Sequence, residues 1–326
     1  MPRRKGLGLA SAVLTVPLLL AGCGLQAANQ FTPAAEPGTI TPVDGASGTE
    51  IVVGSKNFTE QLILGKIAVI ALQTAGYDVV DRTNIPGSVP VRTGATSGEI
   101  DMNWEYTGTA WLTYLGEPEG IPDREEQYEA VRDADVANDL TWLPPAEMNN
   151  TYAFAMSAEN AQRLGITSLS QIATLPVEDR TFCVEAEFAS RNDGFVPMLD
   201  AYELPLGSEE GVPRDNVSTL DTGAVYTATD QGACTFGEVF TTDGRIESLD
   251  LTVLEDDRSF FPAYNVAPVL YTPTLEAHPE LADVFAEITP LITDDVMIEL
   301  NRRVDVDGEE PADVALDWMR SEGLVS

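Results

Sequence analysis

Short β-branched runs recur along the chain, and each gives way to a stretch whose apolar residues fall at helical spacing. Ile51 to Gly54 reads as a strand and Leu62 to Leu72 as the apolar body of a helix, with Asn57 and Glu60 at N-cap and N3 spacing before it. Val79 and Val80 suggest a second strand, Val89 to Thr96 a second helix, and Ile100 to Trp104 a third strand. Alternation of this kind predicts a mainly parallel sheet covered by helices. Glu125 to Asn138 reads as an acidic surface helix, and Pro144-Pro145 breaks the chain before Tyr152-Ala153-Phe154-Ala155-Met156. A second α/β series follows, with strand candidates at Thr181 to Val184, Val217 to Leu220 and Ala233 to Val239. After Pro262, Tyr264 to Tyr271 reads as a strand returning to the first unit. Helices are expected at Pro279 to Leu291, Asp294 to Val304 and Ala312 to Glu322. The pattern predicts an α/β protein of two lobes. Residues 51–151 with 263–326 form lobe 1, residues 152–262 form lobe 2, and the chain crosses between them twice.

The first 23 residues have a different pattern. Arg3, Arg4 and Lys5 form a charged n-region, Leu7 to Leu19 an apolar stretch, and Leu20-Ala21-Gly22-Cys23 a lipobox. The apolar run is shorter than the roughly 20 residues that span a bilayer, which argues for a cleaved lipoprotein signal over a transmembrane anchor. Cys23 is then the lipidated first residue, and the mature protein is held at the extracytoplasmic face of the bacterial cell membrane. Residues 24–50, rich in Ala, Pro, Thr and Gly without periodicity, are expected to be a flexible tether.

The formal charge of −35 falls to about −38 without the three positive charges of Arg3, Arg4 and Lys5. Acids spread along the whole chain argue against a nucleic-acid partner, whose phosphates demand a basic face. His278 is the single histidine, which excludes His-based triads and multi-His metal sites. There is no phosphate loop, dinucleotide fingerprint or Gly-x-Ser-x-Gly elbow, so enzymatic activity has little to rest on and no metal or cofactor is expected. Of three cysteines, Cys183 and Cys234 remain after lipidation; they could pair in an oxidising envelope or stay as two buried thiols, and their spacing does not decide.

Candidate chemistry gathers at predicted element ends: Lys56, Tyr106, Thr109, Tyr152, Arg191 and Tyr226. In open α/β sheets ligands bind outside the carboxyl ends of strands. Aromatic faces attract a cation that cannot donate hydrogen bonds, while Lys56 and Arg191 offer themselves to a carboxylate. A molecule with a quaternary ammonium at one end and a carboxylate at the other satisfies both sets. Each residue also has a plain reading, a Tyr that packs or an Arg at the surface.

Four segments carry a resemblance: Gly54-Ser55-Lys56-Asn57-Phe58-Thr59-Glu60-Gln61, Trp104-Glu105-Tyr106-Thr107-Gly108-Thr109-Ala110, Glu187-Phe188-Ala189-Ser190-Arg191-Asn192-Asp193-Gly194 and Thr241-Thr242-Asp243-Gly244-Arg245. With Leu254-Glu255-Asp256-Asp257 and Phe261-Pro262-Ala263-Tyr264, they resemble the substrate-binding proteins of osmoprotectant ABC importers, the ProX/OpuC type for glycine betaine, proline betaine and choline. The resemblance runs from about Ile51 to the C-terminus in the family's order. It implies a type II periplasmic-binding fold that closes over its ligand, and an ABC permease with a separate ATPase as partners. Tyr106, Tyr152 and Tyr226 then correspond to cage residues for a trimethylammonium group, and Lys56, Thr109 and Arg191 to the carboxylate site. Phe240 stands where a betaine binder of this type can present another tyrosine; a phenyl face keeps the cation–π attraction and loses the hydroxyl.

The resemblance thus implies an extracytoplasmic receptor for glycine betaine or a related betaine. A choline or carnitine receptor of the same fold is the near rival, and an envelope hydrolase using carboxylates the distant one. Two buried cations beside an uncharged ligand hydroxyl would be left unpaired, and on that ground Lys56 and Arg191 favour a carboxylated ligand.

Overall fold

The computed structural model describes residues 32–208 and 210–326. The expected signal segment and Cys23 lie outside the described residues.

Among the described residues ten strands build two five-stranded sheets. The first comprises β1 (Glu50–Lys56), β2 (Asp78–Ile85), β3 (Met102–Tyr106), β4 (Leu140–Trp142) and, from far along the chain, β10 (Val266–Tyr271). Its order is β2-β1-β3-β10-β4; β1 runs parallel to β2 and β3, while β10 is antiparallel to both β3 and β4. The second comprises β5 (Tyr152–Ser157), β6 (Phe182–Glu185), β7 (Val217–Leu220), β8 (Phe236–Phe240) and β9 (Leu251–Val253), in the order β7-β6-β8-β5-β9. In each sheet four strands run in one direction and a single strand opposes them, β10 in the first and β5 in the second, each being the strand by which the chain enters or re-enters that sheet. The short strands β4 and β9 carry three residues each, too few for a period-two pattern to be read.

Helix α1 (Thr59–Thr74) is apolar on all sides, from Ile63 to Leu72 almost without interruption. Such a helix has no solvent face and must be enclosed. It lies against the first sheet and is covered by the helices Asp294–Asp305 and Pro311–Ser321. The N-terminal segment completes the enclosure, which corrects the reading of a flexible tether over residues 36–50, while residues 24–31 of that expected tether lie outside the described residues. From Glu36 onward this segment is docked. Pro37 bridges Val325, the Thr39 and Ile40 amides donate to the Gly323 and Leu324 carbonyls at 2.9 and 3.1 Å, and Val43 donates to Ala75 at 2.8 Å. Ile40 and Ala46 are part of the core. Composition rich in Pro, Ala and Thr reads as a linker, but paired backbone and two buried side chains are enough to seat it.

Lobe 2 carries its own core of Phe154, Phe182, Phe188, Phe195 and Phe236, whose rings meet edge-on or tilted at centroid distances of 5.2–6.1 Å. Cys183 on β6 and Cys234, just before β8, form a disulfide with a Cα–Cα distance of 5.7 Å. Among the described residues no helix is long and apolar enough to cross a membrane.

Candidate functional site

The carboxyl ends of β1 and β3 from one lobe and of β6 and β8 from the other open on the same cleft, a cavity of about 670 Å³. It collects Lys56 at the end of β1 and Phe58 just beyond it, Tyr106 at the end of β3 and Thr109 just beyond it, Tyr152 at the start of β5, Glu187 and Arg191 after β6, and Phe240 at the end of β8. Tyr264, on the returning crossover, also lines it. Gly108 makes that placement possible, since a Cβ there would lie 2.6 Å from the Tyr264 ring. A π-helical turn, Ala110–Tyr114, follows directly and turns Thr113 toward lobe 2.

Five aromatic rings form one continuous wall. Tyr106 lies 6.1 Å from Phe58, Phe58 5.4 Å from Phe240, Phe240 5.4 Å from Tyr152, and Tyr152 5.5 Å from Tyr264, edge-on. Three of the four expected cage residues, Tyr106, Tyr152 and Phe240, are therefore together. Tyr226 is the correction: it sits in the helix Thr222–Asp230, is 1% exposed and does not line the cleft. Its hydroxyl accepts the Phe240 amide at 2.8 Å, and its ring face is covered by Arg245 at 4.2 Å, so it supports the wall from behind. Phe58 and Tyr264 take places in the wall without having been singled out. Phe58 is also the N-cap residue of α1, so Asn57 and Glu60 do not have the expected capping positions; Asn57 instead accepts the Gly87 amide at 3.3 Å.

Lys56, Thr109 and Arg191 are also gathered here, but neither cation is unpaired. The Lys56 ammonium is 2.6 Å from Glu105, which also accepts the Tyr106 amide and the Tyr114 hydroxyl. Arg191 is held by Asp193 through Nε at 2.6 Å and Nη2 at 2.5 Å, and Nη2 reaches Thr109 Oγ1 at 3.4 Å. Tyr264 donates to the same Asp193 at 2.8 Å. The charge argument for a carboxylated ligand thus fails, since each base already has its acid. What remains is donor capacity: an ammonium has three N–H groups and a guanidinium five, and among the described residues the Lys56 ammonium gives only one to the protein. Two further carboxyls lie nearby, Glu185 lining the cleft and Glu238 buried against it. Burial pushes Glu185 up and Glu238, which accepts the Glu185 amide at 2.7 Å, well up from the usual carboxylate range.

The lobes touch across the cleft mouth. Helix α2 (Ser88–Ser97) lacks a side-chain cap of its own at Gly87, and lobe 2 supplies one: Glu187 accepts the Ser88 amide at 3.1 Å and the Ser88 hydroxyl. The carboxylate also stands 3.5 Å from Arg191. A cap made only when the lobes are together biases the closed arrangement, by about 1 kcal/mol on the scale of helix capping. Glu187→Ala should therefore raise the ligand dissociation rate roughly fivefold in stopped flow, and an unchanged rate would mean that the contact carries no closing energy.

The family described as the substrate binding domain of ABC-type glycine betaine transport systems matches residues 49–321. The chain is 38% identical over 288 residues to a glycine-betaine-binding protein of Pseudomonas aeruginosa, covering 86% of this chain and 90% of that protein. It is 31% identical over 290 residues to the glycine betaine-binding protein YehZ of Escherichia coli, covering 86% and 93%. Among solved structures, one of a glycine betaine/carnitine/choline ABC transporter aligns with a TM-score of 0.67 at 25% identity, covering 83% of this chain and 98% of that one.

Proposed function

Because the chain belongs to the family of substrate-binding domains of ABC-type glycine betaine transport systems, we propose that it is an extracytoplasmic receptor for glycine betaine or a related betaine, lipid-anchored at Cys23. It delivers its ligand to an ABC permease driven by a separate ATPase. The observation that carries the ligand class is the wall of Phe58, Tyr106, Phe240 and Tyr152 on one cavity. A trimethylammonium group has no N–H to donate and gains from several ring faces at once, roughly 0.5–2 kcal/mol each. The ligand carboxylate is taken by the unused N–H groups of Lys56, by Arg191 and by the Thr109 hydroxyl. The chain's two crossings, near residues 151–152 and 262–263, serve as hinges, and the ligand touches both lobes only when they are closed.

Choline stays as a rival on a specific observation: with Lys56 and Arg191 already paired, a ligand without a carboxylate leaves no protein charge unmatched; carnitine, which carries both a trimethylammonium group and a carboxylate, meets the same site as a betaine does. Calorimetric titration of the chain lacking residues 1–23, with glycine betaine and choline at equal salt, separates the two. Betaine binding that exceeds choline binding supports the proposal, and choline binding alone replaces it. Tyr152→Ala should weaken the preferred ligand by about thirtyfold, from one cation–π face and the order it imposes on its neighbours; an effect under twofold would remove Tyr152 from the site. A ligand recovered unchanged after long incubation distinguishes a receptor from a hydrolase.

A further inference from the structure

Behind the aromatic wall lies a second cavity, of about 420 Å³, lined by the backs of Phe58 and Phe240 and by Glu60, Asn150, Thr242, Asn301 and Asp305, among others. Glu60 is the unusual member. It is 2% exposed, and its carboxylate accepts from four neutral donors: the Tyr106 hydroxyl at 2.7 Å, Asn150 Nδ2 at 2.8 Å, Thr242 Oγ1 at 2.5 Å and Asn301 Nδ2 at 3.2 Å. Among the described residues no cation pairs with it. The other acids of this cavity are otherwise engaged. Asp243 and Asp305 flank Arg245 at 2.5 and 3.3 Å, and Glu185 accepts the amides of Glu187 and Phe188.

A buried carboxylate without a counter-charge is costly, and burial raises the Glu60 pKa even though all four donors oppose the rise. Its nearest route to a positive charge runs through Tyr106. The phenol donates to Glu60 on one side, and its ring lines the ligand cleft on the other. Hydrogen bonding of a phenol to an anion makes the ring richer in electron density, and a low-dielectric surrounding lets the carboxylate's field pass through the wall.

We propose that Glu60 is a specificity-determining residue of the ligand site: set behind Tyr106, its negative charge selects a positively charged head over a neutral head of the same shape. The inference rests on the reading of the cleft as a quaternary-ammonium site. Glu60 acts without touching the ligand, as a positioning and polarising residue. Because its donors come from β3, from the crossing segment at Asn150, from the turn after β8 and from the helix Asp294–Asp305 at Asn301, it also fixes the wall across both lobes.

The test compares glycine betaine with tert-butylacetate, which has the same shape and a carbon in place of the ammonium nitrogen. Wild type should prefer the betaine strongly, and Glu60→Gln should reduce that preference roughly tenfold, with most of the change in betaine affinity. A purely structural role would lower both ligands together and leave the ratio unmoved, which would overturn the proposal. Tyr106→Phe, which keeps the ring and removes only the hydrogen bond, should reduce the ratio about threefold and serves if Glu60→Gln does not fold; an unchanged ratio there as well removes the route through Tyr106. Wild type that binds neither betaine nor choline overturns the ligand class itself, a result separate from an unchanged ratio in a chain that does bind.

Discussion

Asp193→Asn should destabilise the ligand-free protein by about 3 kcal/mol and shift ligand preference toward carboxylates. Arg191 and Asp193 are buried side chains, 4% and 3% exposed, joined by two hydrogen bonds. Removing one member of such a pair leaves a charge in a low-dielectric surrounding, at a cost of roughly 3–5 kcal/mol. The asparagine would also set an amide N–H₂ or a weaker carbonyl acceptor against the guanidinium, and Tyr264 would lose its charged acceptor. A betaine carboxylate in the cleft can take the place of the missing anion, and the choline hydroxyl cannot. The gap in unfolding free energy between variant and wild type, measured in urea, should therefore narrow with saturating glycine betaine and not with choline. The betaine-to-choline affinity ratio should rise by about tenfold. Equal effects on both ligands would mean that Arg191 serves the architecture of lobe 2 and does not face the ligand.

That experiment follows from a charge pairing that the sequence contains but does not announce. Glu105 lies within the motif that carries Tyr106, and Asp193 two residues after Arg191, yet among 53 acids nothing in the order of residues says which of them meets which base. Local signals were strong where one element decides them. The β-branched run at Ile51, the apolar body of α1 and the aromatic residues at the strand ends placed Tyr106, Tyr152 and Phe240 on one cleft. They were weak where a distant segment decides. Tyr226 sits on a helix whose face toward Arg245 and β8 is fixed only by packing, so the same tyrosine reads equally as cage or as support. Glu60 shows the same limit. Its spacing from Asn57 suggests a capping box, but donors from four separate parts of the chain, up to 241 residues away, draw it into the interior. The docking of residues 36–49 likewise depends on distant partners, residues 323–326 for Glu36 to Ile40 and Ala75 and Asp78 for Val43 and Thr49, which no local pattern foretells.

Loss of the Cys183–Cys234 disulfide is the second large effect, and it should fall on one lobe. The bond joins β6 to the turn before β8, neighbouring parallel strands, and spans a sequence separation of 51. Restricting an unfolded loop of that length is worth about 4 kcal/mol in the chain-entropy model. The enclosed segment carries Arg191 from the cleft, with its partner Asp193 and Tyr226 behind it, so the restraint acts on the lobe 2 side of the site without lining the cavity. Cys183→Ala with Cys234→Ala should lower the unfolding free energy of lobe 2, read from urea titration, by about that amount, leave the lobe 1 transition in place, and keep ligand affinity within about twofold once the chain is folded. Both cysteines are buried, 1% and 3% exposed, so a reductant should act only after lobe 2 opens. Reduction in the native state should therefore be slow, and faster in mild denaturant. A bond of this kind persists in an oxidising compartment, as a receptor outside the cytoplasm requires. A double variant that loses less than about 1 kcal/mol would show that lobe 2 is held by its phenylalanine core alone.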